Sequence, residues 1–254
     1  MAYTCTGKLI AVASNIPLVL AQTAGPALSD IRMRESRERL RTAMGALTQA
    51  VLIGSGALTC VILVVTKGFV SWWVGASLFG GVTLTTCLLV SMLIRHWGTT
   101  LVYAVYSFGH ERRLATIAML QGASSIGLML ALVRTLGPVG APVGSVAASV
   151  LVTFPFALVG LKEDLEVGIM KLLRPLAPWM VRFALAGLAA YAIARVWSTT
   201  STLALIGAAG TILILYGALM FPILFRPPLR DYVTTAVASV SPGLLKFIPR
   251  PTRP

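Results

Sequence analysis

Apolar residues along this chain come in long blocks, broken by short clusters of charge, Gly and Pro, rather than in the alternating pattern of half-buried strands. A helix needs about 20 predominantly apolar residues to cross a hydrocarbon core about 30 Å thick. Seven stretches reach that length: residues 9–28, 44–66, 76–108, 114–133, 140–160, 177–197 and 202–225. They predict an all-α, polytopic transmembrane helix bundle of about seven spans. The first stretch contains Pro17 and Pro26 and runs into a basic segment rather than a small-residue cleavage site, so it reads as a helix kinked at Pro17, not a signal peptide.

Two segments fall outside this pattern. Residues 161–176 alternate charges with Leu165, Val167, Ile169, Met170, Leu172 and Leu173, which suits a short amphipathic helix on the membrane surface before Pro175 and Pro178. The tail 226–254 carries six prolines, Pro227, Pro228, Pro242, Pro249, Pro251 and Pro254, and cannot be one long helix. The expected organisation is five spans over 1–160, a linker over 161–176, a helix pair over 177–225 and a basic tail over 226–254.

Composition agrees: 57% of residues are hydrophobic, 11% are charged, and the mean hydropathy is +0.86. The net charge of +13 would suggest nucleic acid in a soluble chain; here cation-rich cytoplasmic segments account for it and no nucleic-acid partner is expected. If the segment between the first two spans is cytoplasmic, fifteen cations lie inside: Arg32, Arg34, Arg37, Arg39, Arg41, Arg112, Arg113, Lys162, Lys171, Arg174, Arg226, Arg230, Lys246, Arg250 and Arg253. Four lie outside, Lys8, Lys67, Arg134 and Arg195, while Arg95 and Arg182 fall within spans. This places the amino terminus outside and the carboxyl terminus inside. An odd span number is unusual for a transporter of two similar halves, so the sequence suggests a chain lacking its first part.

All eight acidic residues fall on the proposed inner side. No carboxylate is left in a span or an outer loop to act as general base, metal ligand or cation-coupling site. No Lys in the last two spans could form a Schiff base. The three Cys and two His have no ligand spacing, so no metal, cofactor or enzymatic activity is expected.

Arg95 demands a reason for its position. If residues 76–108 form one helix, Arg95 falls near its middle, where a charge costs about 2.5–3.5 kcal/mol and needs a watery cavity or a partner. If the span instead ends near Ile94, then Arg95, His96 and Trp97 mark the interface. Both readings are open on the sequence. The arginines from Arg32 to Arg41 are an orientation signal or a landing zone for an anionic lipid diphosphate.

The order of landmarks carries a resemblance. Gly25-Pro26-Ala27-Leu28-Ser29 precedes the charged run; Gly68 to Gly75 includes Trp72-Trp73-Val74-Gly75; a long helix closes at Ser107-Phe108-Gly109-His110. Gln121 to Gly127 and then Leu136-Gly137-Pro138-Val139-Gly140-Ala141-Pro142-Val143-Gly144-Ser145 follow. This succession resembles the carboxyl-terminal half of the oligosaccharide flippases, in the superfamily that includes multidrug and toxin extrusion proteins. The resemblance covers roughly residues 3–166, and the later spans match by hydropathy alone. It implies alternating-access flipping of a lipid-linked oligosaccharide across the cytoplasmic (inner) membrane, with membrane lipids, a separate amino-terminal half and polysaccharide assembly proteins as partners. Arg95, His96 and Gln121 are the substrate-path candidates, Gln121 standing where the family often carries an acid. A drug extruder and a non-transporting scaffold are the alternative readings. Apart from the family, Trp72 and Trp73 suit interfacial anchoring, and Gly137, Gly140 and Gly144 suit close helix packing.

Overall fold

The computed structural model describes residues 2–196 and 201–234. Its order is α1 (Ala2–Ala13), α2 (Asn15–Arg34), α3 (Arg37–Trp73), α4 (Gly81–Ser107), α5 (Glu111–Leu136), α6 (Gly140–Ala148), a π-turn (Ser149–Thr153), α7 (Phe154–Leu165), α8 (Ile169–Leu173), α9 (Ala177–Val196) and α10 (Thr202–Leu224). The fold is all-α, with no strand among the described residues.

Five helical runs are long and apolar enough to cross a membrane, or six with α1 and α2 taken as one bent span. One run, Glu111–Leu165, folds back at Gly137, whose φ of +61° no side-chain-bearing residue adopts readily, so it supplies two antiparallel legs. Dividing it gives the seven legs that the hydropathy predicts. The hairpin is close: a Cβ on Gly144 would come within 2.7 Å of the Met129 backbone nitrogen, and one on Gly140 would strike the Leu132 carbonyl. Small residues one turn apart let two backbones touch, which is how helices associate where lipid removes the hydrophobic driving force.

α3 and α4 form the centre. α3, 37 residues long, spans about 55 Å at 1.5 Å per residue and outreaches the hydrocarbon at both ends. The α9–α10 pair packs along one side of α3, burying Leu52, Cys60, Ala186, Ala190, Ala208 and Ile212. Gly56 leaves the space that the Tyr216 hydroxyl of α10 occupies, and that hydroxyl donates to the Ile53 carbonyl at 2.8 Å. The α5–α6–α7 hairpin flanks α4 on the other side, where Trp97 meets Phe154 edge to face at 4.6 Å. α1 and α2 lie across both central helices. Outward positions such as Ile16, Met119, Leu130, Leu188 and Ile214 are exposed apolar side chains, the surface that a bilayer would cover.

Several boundaries differ from the sequence expectation for identifiable reasons. The first span bends by 40° at Ser14 rather than at Pro17 itself, because a proline ring crowds the carbonyl one turn earlier. It does not end at Leu28; α2 runs through Pro26 and on to Arg34. The charged run is therefore no loop, since only Glu35 and Ser36 separate α2 from α3, with Ser36 Oγ accepting from the Arg39 amide at 3.3 Å as an N-cap. The third span begins at Gly81, after a separate 3₁₀ turn at Ala76–Leu78. The surface linker is shorter than 161–176: α7 extends to Leu165, Glu166 turns the chain in the left-handed region, and α8 is five residues. Of the expected tail, the part beyond residue 234 lies outside the described residues, as does Trp197.

Gly144→Leu should destabilise the folded chain in detergent by about 1–3 kcal/mol through overpacking against α5. Gly122→Leu, which meets nothing within 4 Å, should leave thermal unfolding unchanged.

Candidate functional site

Two helix breaks each gather several polar side chains inside the bundle. The first is Ser14, between α1 and α2. Pro17 has no N–H to offer the Ala13 carbonyl, so the helix opens there, and the Ser14 hydroxyl turns back to donate to the Ala11 carbonyl at 2.8 Å. Arg95 Nη2 of α4 donates to the same hydroxyl oxygen at 2.9 Å. α4 is unbroken from Gly81 to Ser107, so Arg95 lies near the middle of a helix of about 40 Å. The helix does not end at Ile94: α4 continues to Ser107, and Trp97 and Leu101 beyond Arg95 pack into the interior.

Arg95 lines a cavity of about 430 Å³ together with Lys8 and Thr4 of α1, Ser91 of α4, Met129 of α5 and Ser145 of α6. α4 forms its floor. α1 does not pack closely on the α5–α6 hairpin, so the cleft is open between them. The guanidinium is thus exposed to this cavity while its helix is deep in the bundle, the geometry a central charge needs. Among the described residues no carboxylate pairs with it.

His96, the next residue, points the other way. It is fully buried, with Nδ1 2.6 Å from Ser55 Oγ of α3; that hydroxyl also donates to the Val51 carbonyl at 2.7 Å. Because the one hydroxyl proton goes to Val51, the arrangement assigns the shared proton to Nδ1. Nε2 has no hydrogen-bond partner among the described residues. His96 therefore ties α4 to α3 behind Arg95 and does not line the cavity.

Gln121 occupies the second break. The π-turn at Ser149–Thr153 widens the chain just before Pro155, which cannot donate to the Leu151 carbonyl; the Phe154 amide reaches the Ser149 carbonyl instead. Ser149 and Thr153 then face Gln121 of α5. The amide donates to Ser149 Oγ at 3.1 Å and Ser125 Oγ at 3.4 Å, and its carbonyl oxygen accepts from Thr153 at 2.7 Å. The structure thus brings Arg95 into a cavity and gives His96 and Gln121 to helix joints.

The ends of the bundle are electrostatically unlike. At one end the Arg32–Arg41 arginines are all engaged. Arg34 pairs with Asp30 at 2.7 Å, Arg39 with Glu35 at 2.6 Å, Arg41 with Glu38 at 3.6 Å and Arg37 with Glu166. Arg32 donates to the Ser107 carbonyl at 3.0 Å and lies over the Phe108 ring, capping α4. Arg113 and His110 bind Glu163 and Asp164 at the foot of α7. Such exposed pairs add up to about 1 kcal/mol each, but they neutralise the run, which leaves little for a lipid diphosphate landing zone. Lys8, Lys67, Arg134 and Arg195 lie at the opposite end, where the described residues include no carboxylate.

No group of His, Cys, Asp or Glu among the described residues could hold a metal ion. No family model, curated protein or solved structure matches the chain. The flippase resemblance accordingly rests on the residue landmarks.

Gln121→Leu removes three hydrogen bonds at once. At about 0.6 kcal/mol for an average bond between membrane helices, it should lower stability in detergent by about 1–2 kcal/mol, read by thermal unfolding. Thr153→Val, which removes one, should cost less.

Proposed function

We propose that this membrane protein takes part in moving an amphiphile with an anionic head, most simply a lipid-linked oligosaccharide diphosphate, from the inner to the outer leaflet of the cytoplasmic membrane. The observation that carries the reading is Arg95: a mid-helix guanidinium, held by Ser14 and with no carboxylate partner among the described residues, exposed to a laterally open cavity that also contains Lys8. A guanidinium can hold two oxygens of one phosphate through its planar fork. An opening between α1 and the α5–α6 hairpin would let a head group enter while its tail stays in lipid. The bend at Ser14 sits beside this cavity and supplies a place for α1 to move against α4. The reading includes no covalent chemistry, and polysaccharide assembly proteins are its expected partners.

The orientation belongs to the same proposal. The end holding the ion pairs, with its excess of Lys and Arg, faces the cytoplasm, and the end holding Trp72, Trp73 and Arg195 faces outward. In a variant lacking Cys5, Cys60 and Cys87, a membrane-impermeant thiol reagent applied outside should label Ser77→Cys and Thr135→Cys. It should miss Met33→Cys and Lys162→Cys. The opposite pattern reverses the orientation.

In membrane vesicles from cells that make the chain, Arg95→Ala should reduce flipping of a fluorescent lipid-linked oligosaccharide at least tenfold at near-normal protein abundance, because losing the charge lowers the insertion cost. Arg95→Lys should restore part of it, since an ammonium keeps charge but loses the fork. Normal flipping by both variants would sink the assignment.

A further inference from the structure

A second cationic cavity lies at the acid-free end, away from Arg95. It has a volume of about 560 Å³ and is enclosed by the last turns of α3, the start of α4 and the end of α9. Lys67 of α3 and Arg195 of α9 both line it, together with the rings of Trp72, Phe79 and Tyr191 and the hydroxyl of Ser71. Lys67 has no hydrogen-bond or ion-pair partner among the described residues. Arg195 is positioned by Tyr191, whose hydroxyl oxygen accepts from Nε at 3.1 Å and from Nη2 at 2.5 Å, leaving Nη1 open.

This convergence runs against two trends in the molecule. Among the described residues only four cations lie at this end, yet two of them face one cavity from helices far apart in sequence. At the other end the arginines of the charged run are matched by carboxylates or capped carbonyls, whereas here no carboxylate among the described residues answers either charge. Two like charges brought toward one space without a counter-ion repel unless an anion joins them. Trp72, 72% exposed, places the cavity at headgroup depth, where an indole ring is at home and where phosphate is the abundant anion. The apolar walls formed by Leu63, Val64 and Val82 continue the site toward the hydrocarbon.

We infer that Lys67 and Arg195 form a binding site for a phosphate group, carried by a lipid whose chains lie along α3 and α4. The open Nη1 side of the Arg195 guanidinium donates to the phosphate, Lys67 adds a point charge, and Trp72 and Tyr191 cover the glycerol region. Lipid bound here would join α9 to α3 and α4 at the end where their side chains form no ion pair. The site stands independently of what passes the Arg95 cavity.

The test uses the full chain in detergent and native mass spectrometry with three probes: dioleoyl phosphatidic acid, dioleoyl phosphatidylcholine and inorganic diphosphate. Phosphatidic acid should be retained at one molecule per chain in preference to phosphatidylcholine. Lys67→Gln and Arg195→Gln should each weaken retention about fivefold, the expected effect of one cation near a phosphate surface. Lys67→Arg, which keeps the charge, should preserve it and shows that the fold is intact. Arg134→Gln removes a cation at the same end but outside the cavity and should change nothing. Diphosphate displacing the lipid from the wild-type chain, while binding with the same dependence on Lys67 and Arg195, would assign the site to a soluble anion and overturn the lipid assignment. Equal retention of the two lipids, or an Arg134→Gln effect as large as that of Lys67→Gln, would reduce the site to general surface charge and overturn the proposal.

Discussion

Within hydrocarbon every backbone N–H and C=O must find a partner inside the protein, and this structure bends or widens its helices at two of the prolines that deprive the ladder of a donor. Pro17 and Pro155 each remove a donor and crowd a carbonyl a turn earlier. The chain answers with a bend at Ser14 and a π-turn at Ser149–Thr153. Each break is polar by necessity and therefore attracts polar side chains from neighbouring helices: Arg95 and, behind it, His96 at the first, Gln121 at the second. Other buried polar groups, such as Thr66 and Gln49, whose amide donates to the Pro175 carbonyl at 2.6 Å, lie away from both breaks.

The breaks have different fates because of what lies beside them. The π-turn faces a helix only a glycine's width away, since Gly140 and Gly144 bring α6 against α5, and its hydroxyls are consumed by Gln121. The Ser14 bend faces a gap, since α1 has no close neighbour on the hairpin side. A polar group in a tight joint becomes a structural bond; the same kind of group beside a gap becomes a lining for a cavity. The absence of a carboxylate partner for Arg95 among the described residues leaves its charge to be answered from the cavity.

Charge is distributed on the same logic. The carboxylates and most cations meet at one end, where the α2–α3 corner, the α4–α5 corner and the foot of α7 are tied by ion pairs that individually contribute little. At the other end the cations have no acidic partner among the described residues, and Lys67 and Arg195 share a cavity. An arginine run conspicuous in sequence thereby has all but Arg32 paired with carboxylates, while two cations distant in sequence line one cavity.

The sequence by itself determined the all-α class, the seven apolar legs, the collection of acids at one end and the presence of a bend near Pro17. All of these depend on hydropathy, charge and proline chemistry that act over a few residues. It also showed that Arg95 needed an explanation, though not which one, because the partners around it, such as Phe154 against Trp97, come from distant parts of the chain. Only the tertiary structure decided that Arg95 faces a cavity, that His96 and Gln121 are spent in helix joints, that Arg32 caps α4 and that Lys67 meets Arg195. The physical reason is that helices such as α9 and α10 are apolar nearly all round, so their sequences mark no inward stripe. Which faces meet is then set by small residues such as Gly56 and Gly144 and by long-range hydrogen bonds, and neither leaves a periodic trace in the chain.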